Sequence, residues 1–458
     1  MKFSRTQVRQ RTHALPALRF EDQQLSSFSG LVIFQQLFLH LNLRERLRQC
    51  FRHLKVSPIF GHASIVLLLV VHLLLGYREL RQLRFYGDDP LVGRVLGLRR
   101  LPDVATVSRA LSGMDTESVS RLQGLLSTLV LERLARLRLR RITLDFDGSV
   151  IGTGRAAEGT AVGFNRKKKG QRSYYPLFCT VAQSAQVLDV LHRSGNVHDS
   201  NGAQAFICAC IEAVRAALGA VRIEIRMDAA FFSDAIVHML DTAGVQYTIS
   251  VPFERLPGLK QQIEQRQRWQ RASADCDSFE LSWKPKSWQR RYRFLVFRKR
   301  VKLQHKEPVQ LDLFVPYQYG YEFRAILTNK RLTPAKVLAF HNGRGAQEGI
   351  FAELKSDNAL AYVPTRTWVG NQIYLLAALM AHNLARELQM RAQPPARNTT
   401  AKRAPLWAFA SIATLRHHII QRAGLLIRPQ GQLTLSMSLN DAVKNDLLHF
   451  LDALGAAA

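Results

Sequence analysis

Acidic residues are scarce in this chain: 35 Asp and Glu stand against 64 Lys and Arg in 458 residues, a formal net charge of +29. That excess is spread along most of the sequence and opposes compaction unless a polyanion supplies counter-charge. Nucleic acid is therefore the expected partner, ahead of an anionic membrane surface. Cysteine is rare as well. Cys50, Cys179, Cys208, Cys210 and Cys276 are odd in number, irregularly spaced, and lack a CxxC or a histidine pair. This argues against a zinc site and for reduced, mostly buried thiols. Long apolar runs are missing too. The first residues, Met1 to Gln7, hold no apolar core of a signal peptide, and the most apolar stretch, 65–75, is too short to span a bilayer. It reads as a buried helix, and a cytoplasmic, nucleoid-associated protein with no membrane partner is expected.

What is present is ample apolar material, 47% of the residues, enough for about three structural units. No internal repeat is visible. From about 25 to 140, apolar residues recur at three- and four-residue spacing, as in Leu43, Leu47, Phe51 and Leu54, which predicts an all-α unit. Within it, 101–111 has the turn, polar caps and basic helix of half a helix-turn-helix, a pattern that plain helix packing also produces.

The period then shifts to 2. In 141–149, Ile142, Leu144 and Phe146 alternate with Thr143, Asp145 and Asp147, so both aspartates fall on one strand face. Further strands are expected at 175–182 and 187–191, a helix at 203–218, a strand at 222–228 ending in Asp228, a helix at 234–243 and a strand at 247–251. That order predicts an α/β fold, a mixed sheet flanked by helices. Between 252 and 330, Trp269, Trp283 and Trp288 sit among many arginines, and strands at 293–297, 311–315 and 323–328 predict a β-rich insertion. Thr333-Pro334 is a helix entry, 372–391 a further helix, and 394–405 a Pro/Arg/Thr-rich break. The expected division is 1–138 as a helical, DNA-binding unit, 139–251 as the first part of a catalytic core, 252–330 as the insertion, 331–393 as the second part of the core, and 394–458 as a C-terminal helical region.

Chemistry concentrates in three acids. On a helix, Arg344, Glu348 and Lys355 fall within about 40° of one another. A carboxylate between two cations offers one oxygen to a divalent metal and two positive groups to backbone phosphates. Two strand-end aspartates, Asp147 and Asp228, can converge with Glu348 only if their strands are neighbours, which α crossovers permit. Singly, each acid reads equally as a capped or salt-bridged surface residue. Gathered, their combined charge calls for Mg²⁺ or Mn²⁺, and two ions about 4 Å apart suit phosphoryl transfer.

The segments Leu144-Asp145-Phe146-Asp147-Gly148-Ser149, Arg226-Met227-Asp228-Ala229-Ala230-Phe231-Phe232 and His341-Asn342-Gly343-Arg344-Gly345-Ala346-Gln347-Glu348 resemble the three acidic motifs of DDE transposases with an RNase H-like core. The last is similar to the Tyr-x2-Arg-x3-Glu-x6-Lys signature of a large group of bacterial insertion-sequence transposases. With 163–177, Arg193-Ser194-Gly195-Asn196-Val197-His198 and Ala381-His382-Asn383-Leu384, the chain from about Leu25 onward resembles insertion sequence family 1380.

The resemblance implies a metal-binding catalytic triad of Asp147, Asp228 and Glu348 holding two Mg²⁺ or Mn²⁺ ions, with Arg344 and Lys355 on phosphates near the cleaved end. Asp145 is the rival first acid, disfavoured by the Gly-Ser that follows Asp147; Glu353 is the rival third, about 140° around the helix from Glu348. His341 replaces the signature tyrosine, and as a phosphate donor its charge would vary near neutral pH. The basic run Arg166, Lys167, Lys168, Lys169 and Arg172, with Tyr174 beyond it, is expected on a hairpin gripping DNA, although a solvated turn reads the same way. Relatives carry a tryptophan in the insertion that stabilises a flipped base; Trp269, Trp283 and Trp288 are all candidates. His198 is expected to be a turn residue. The implied activity is cut-and-paste transposition, binding terminal inverted repeats and target DNA, with a homodimer expected because strand transfer needs two ends. The alternatives are a nuclease on the same core, or a DNA-binding protein without catalysis.

Overall fold

A computed structural model describes residues 17–19, 21, 23–55, 59–163, 165, 168–197, 201–300 and 321–455. Arg166, Lys167, His198 and the strand expected at 311–315 lie outside the described residues. Where the apolar period is 3.6, the chain is helical: α1 (Leu31–His40), α2 (Leu43–Phe51), α3 (His62–Leu75), α4 (Pro90–Leu96), α5 (Val104–Ser112) and α6 (Thr116–Leu137). Their starts are locally encoded. Asp89, Asp103 and Asp115 each accept backbone N–H bonds at the N-caps of α4, α5 and α6. The apolar run expected to be a buried helix is one, with every residue from Ile65 to Leu75 buried in α3. No helix among the described residues is long and apolar enough to cross a membrane.

The period-2 segment forms β1 (Arg141–Gly148), followed by β2 (Leu177–Val181), β3 (Gln186–Leu191), α7 (Ala203–Leu218), β4 (Arg222–Met227), α8 (Asp234–Thr242) and β5 (Gln246–Val251). β1 runs parallel to β4 and antiparallel to β2, β3 is antiparallel to β2, and β4 is parallel to β5. The spatial order β5-β4-β1-β2-β3 is the mixed, helix-flanked sheet expected of an RNase H-like core. One face of β1 is apolar as the alternation predicts, Ile142, Leu144 and Phe146 being fully buried. The polar face is not open to solvent, since Thr143 and Asp145 are buried too.

Beyond β5 the chain makes α9 (Pro257–Glu264), β6 (Gln270–Ser273), β7 (Cys276–Trp283), β8 (Tyr292–Arg300) and β9 (Tyr321–Thr328). These strands build no separate sheet. β9 pairs antiparallel with β5, Leu327 opposite Ile249, and covers an edge that would otherwise offer unpaired backbone groups. The result is one nine-stranded sheet, ordered β6-β7-β8-β9-β5-β4-β1-β2-β3.

The helix entered at Pro334 breaks into α10 (Pro334–Asn342) and α11 (Gly345–Ser356). Gly343 sits at the break because a Cβ there would lie 1.8 Å from the Lys402 carbonyl oxygen. α12 (Trp368–Ala392) is the spine of the molecule, buried from Gly370 nearly to its end, and it packs against α3 and α6 on one side and β3 on another. Its buried polar groups are paired: the Asn383 side chain bonds both the N–H and the C=O of Val187, and Glu387 pairs with Arg133.

The C-terminal region expected to be helical includes two strands, Gly424–Ile427 and Thr434–Met437, which form a small sheet with Leu25–Ser26 before α13 (Asp441–Ala453). The expected break at 394–405 is pinned to the core. Arg403 places its guanidinium on the buried Glu224 of β4 at 2.7 Å, and the Leu406 amide donates to the Gln183 carbonyl at 2.8 Å.

Candidate active site

The parallel register sets the two aspartates side by side. Phe146 of β1 is opposite Met227 of β4, so Asp147 and Asp228 follow at the same level of strands about 4.8 Å apart. Asp147 accepts the Gly148 N–H at 2.8 Å and a bond from Arg344 Nη1 at 2.8 Å. Asp228 caps the turn after β4, accepting the Ala230 N–H at 3.0 Å. Burial, and then the neighbouring Asp228 charge, pushes the Asp147 carboxyl up to about 7 against the pull of Arg344. Asp147 and Asp228 face each other beside Arg344, and their all-oxygen donor set fits Mg²⁺ or Mn²⁺.

Glu348 is on α11, whose N-terminal end is fastened to this recess. Arg344 is the N-cap, and Gln347 Nε2 donates to the Asp145 carbonyl at 3.0 Å. Glu348 is exposed, one turn beyond Arg344, or about 6 Å along the helix axis. Lys355 is half-buried in the last turn of α11. Among the described residues, the group of three His, Cys, Asp or Glu ligand atoms within 4.8 Å of one another is a different one, His53, Asp115 and Glu117. There Asp115 Oδ1 already serves the α6 cap, accepting from the Ser118 N–H and hydroxyl, so this set reads as a helix cap.

Both rivals are used structurally. Asp145 is buried and held by both Arg226 Nε and Nη2, at 2.5 and 2.7 Å. Glu353 is engaged by the Arg386 guanidinium and by the Ile412 N–H.

Several expected DNA contacts need correction. His341 is 4% exposed, with Nδ1 on Thr248 Oγ1 at 3.0 Å and Nε2 on Ser250 Oγ at 2.8 Å. Burial, reinforced by Arg344, Arg324 and Arg226, drops its pKa to about 3. The ring is neutral and both nitrogens are occupied, which leaves nothing for a phosphate. Tyr174 is fully buried, its hydroxyl donating to the Glu158 carbonyl at 2.6 Å. Trp288 is buried under Phe232 and Tyr292, so a flipped base would have to displace Phe232 to reach it. Trp283 and Trp269 are half-buried, Trp283 edge-on to Phe294 and Trp269 beneath the Arg298 guanidinium. The basic hairpin is present: 161–162 pairs antiparallel with Arg172–Tyr174, and Lys168 and Lys169 are exposed at its turn. Arg172 is also exposed, with its Nε on the Thr160 hydroxyl at 3.0 Å. The hairpin joins the recess where the Ser149 N–H donates to the Pro176 carbonyl at 3.0 Å.

Sequence reasoning passed over Arg226, Gln347 and Gly343. The available signal was an arginine at a buried strand position two residues before an acid, and a glycine inside a helical pattern.

Two strand-end aspartates thus lie at one level of adjacent parallel strands, with the N-terminal end of the helix that bears Glu348 fastened beside them. The chain belongs to the family Transposase DDE domain group 1, which matches residues 13–457. Among solved structures it is similar to a piggyBac transposase synaptic complex with hairpin DNA, at 10% identity and TM-score 0.44 over 85% of this chain and 79% of that one. It is also similar to a Mos1 transposase paired-end complex with the left transposon end, at 13% identity and TM-score 0.18 over 43% and 60%. A Mos1 mariner paired end complex with Mn stands at 13% identity and TM-score 0.17 over 44% and 65%. No curated protein matches the chain.

Proposed function

We propose that this protein is the DNA transposase of a bacterial insertion sequence of family 1380, and that Asp147, Asp228 and Glu348 are its catalytic acids. The observation that supports this best is the pairing of Asp147 and Asp228 at one level of adjacent parallel strands, with α11 fastened beside them by Arg344 and Gln347. The three carboxylates would hold two Mg²⁺ or Mn²⁺ ions, which would supply activation of the attacking oxygen and stabilisation of the leaving one.

The chain's own residues bind and align the substrate. Helices of 1–138 bind the terminal inverted repeats, and Lys168, Lys169 and Arg172 clamp backbone phosphates beside the recess. Arg344 and Lys355 hold the phosphates that flank the scissile bond. Hydrolysis breaks the phosphorus–O3′ bond at the element's end, leaving a 3′-hydroxyl and a 5′-phosphate. That 3′-oxygen then attacks a target phosphorus in line and displaces the target's 3′-oxygen, so one phosphodiester forms for each one broken. Two ends held together imply a homodimer on DNA.

The test is incubation of the full chain with a pre-cut element end, a target plasmid and Mn²⁺. Joined products are expected; nicks alone would make the protein a nuclease, and shifted but intact DNA a binder. Asp147→Ala, Asp228→Ala and Glu348→Gln are each expected to abolish cleavage while end binding by gel shift persists. Cleavage retained in any one removes that residue from the triad.

A further inference from the structure

Arg226 lies on β4, two residues before Asp228, and its side chain is fully buried. Its guanidinium serves three segments at once. Nε and Nη2 grip Asp145, while Nη1 donates to the Phe340 carbonyl at 3.0 Å and to the Lys402 carbonyl at 2.6 Å. Asp145 stands two residues before Asp147 on β1, and its own carbonyl accepts from Gln347, the neighbour of Glu348. The α10–α11 break presses on the same group, since a Cβ on Gly343 would lie 2.1 Å from Arg226 Nη1. Every segment that bears one of the three acids therefore meets this guanidinium or its aspartate partner.

We infer that Arg226, paired with Asp145, is a positioning residue that sets the metal-binding register of Asp147, Asp228 and Glu348 without touching metal or DNA. The inference rests on the proposal that these acids hold divalent metal. Holding β1 against β4 does not require the pair, because the backbone ladder from Arg141 to Phe146 already does so. An apolar pair of similar volume would fill the space without the desolvation cost of two charges. What an apolar pair lacks is direction: a planar fork with several donors fixes the angle of α10 and α11 relative to both strands, and a lysine ammonium does not reproduce it.

The probe is Mn²⁺ alone, bound to the full-length protein and followed by electron paramagnetic resonance, with thermal melts run alongside. Three variants are compared with wild type: Asp147→Ala, Arg226→Lys, and the double variant Arg226→Met with Asp145→Leu, which strands no buried charge. Wild type is expected to bind Mn²⁺ and Asp147→Ala to lose it. Both Arg226 variants are expected to melt cooperatively and to bind Mn²⁺ about 10- to 100-fold more weakly, the usual effect of removing a group that orients metal ligands. A purely structural pair would lower the melting temperature and leave the Mn²⁺ affinity of the folded protein within about twofold, which would overturn the inference alone. Failure of both Arg226 variants to fold would overturn it as well, by making the pair's role one of stability. Mn²⁺ binding that is absent in wild type or survives in Asp147→Ala would instead overturn the metal-site reading of the acids, and the inference with it.

Discussion

Asp147 makes folding less favourable as its carboxyl ionises, and the amount can be worked from its surroundings. An aspartate that ordinarily titrates near 3.8 is raised to about 7 here, first by burial and then by Asp228, with Arg344 opposing. Its folded pKa lies above its unfolded one, so between those values the native state binds more protons and stability falls as pH rises. From pH 5 to pH 7 the loss is about 2 units at 1.36 kcal/mol each, or about 3 kcal/mol, and it is complete by pH 8. Asp147→Asn removes the titration and keeps an acceptor for the Gly148 N–H. The assay is urea unfolding of wild type and variant with EDTA at pH 5 and pH 8. Relative to wild type, the variant is expected to gain about 3 kcal/mol between the two pH values. Adding Mn²⁺ at pH 8 should then stabilise wild type and not the variant, because a ligand bound only by the native state raises its stability by mass action. An equal stability difference at both pH values, or a variant relatively weaker at pH 8, would refute the reasoning.

Two further outcomes follow from buried groups near the site. Burial works against ionised Glu224, but Arg403 and Lys330 outweigh it and draw its carboxyl down to about 2; Glu224→Gln leaves both cations uncompensated and is expected to lose about 3–5 kcal/mol at pH 7 by urea unfolding. A loss under about 1 kcal/mol there would mean that water compensates the cations. His341, depressed to about 3 by burial, contributes stability that is lost as pH falls from about 6.5 towards 3, since the unfolded imidazole takes up a proton first. His341→Phe should therefore flatten the acid limb of the stability curve, cost about 1–3 kcal/mol for the orphaned Thr248 and Ser250 hydroxyls, and leave the affinity for DNA ends unchanged. Weaker end binding in this variant would return His341 to the DNA interface.

How far the fold could be read ahead depends on the range of the interactions that fix it. The strand ending at Asp147, the strand ending at Asp228 and the helix entered at Pro334 were legible because alternation and caps are local. The Gly-Ser after Asp147 is local and readable, while the Arg226 fork that holds Asp145 comes from a strand about eighty residues away and is not. His341 looked like a variant of an exposed signature position; Thr248 and Ser250, which bury it, are about ninety residues earlier. The same holds for the edge pairing of β9 on β5, the burial of Tyr174 and Trp288, and the depth of α12. Each of these is decided by a partner from another part of the chain, and residue spacing does not encode it.

Arg403 on Glu224 has a consequence for the order of events during synthesis. The strand that leads to Asp228 is made long before residue 403, so in a nascent chain Glu224 has Arg141 and later Lys330 beside it but not yet Arg403. Glu224 is fully paired only when the 394–405 segment arrives, so a chain that stopped before residue 403 would leave this buried carboxylate one cation short.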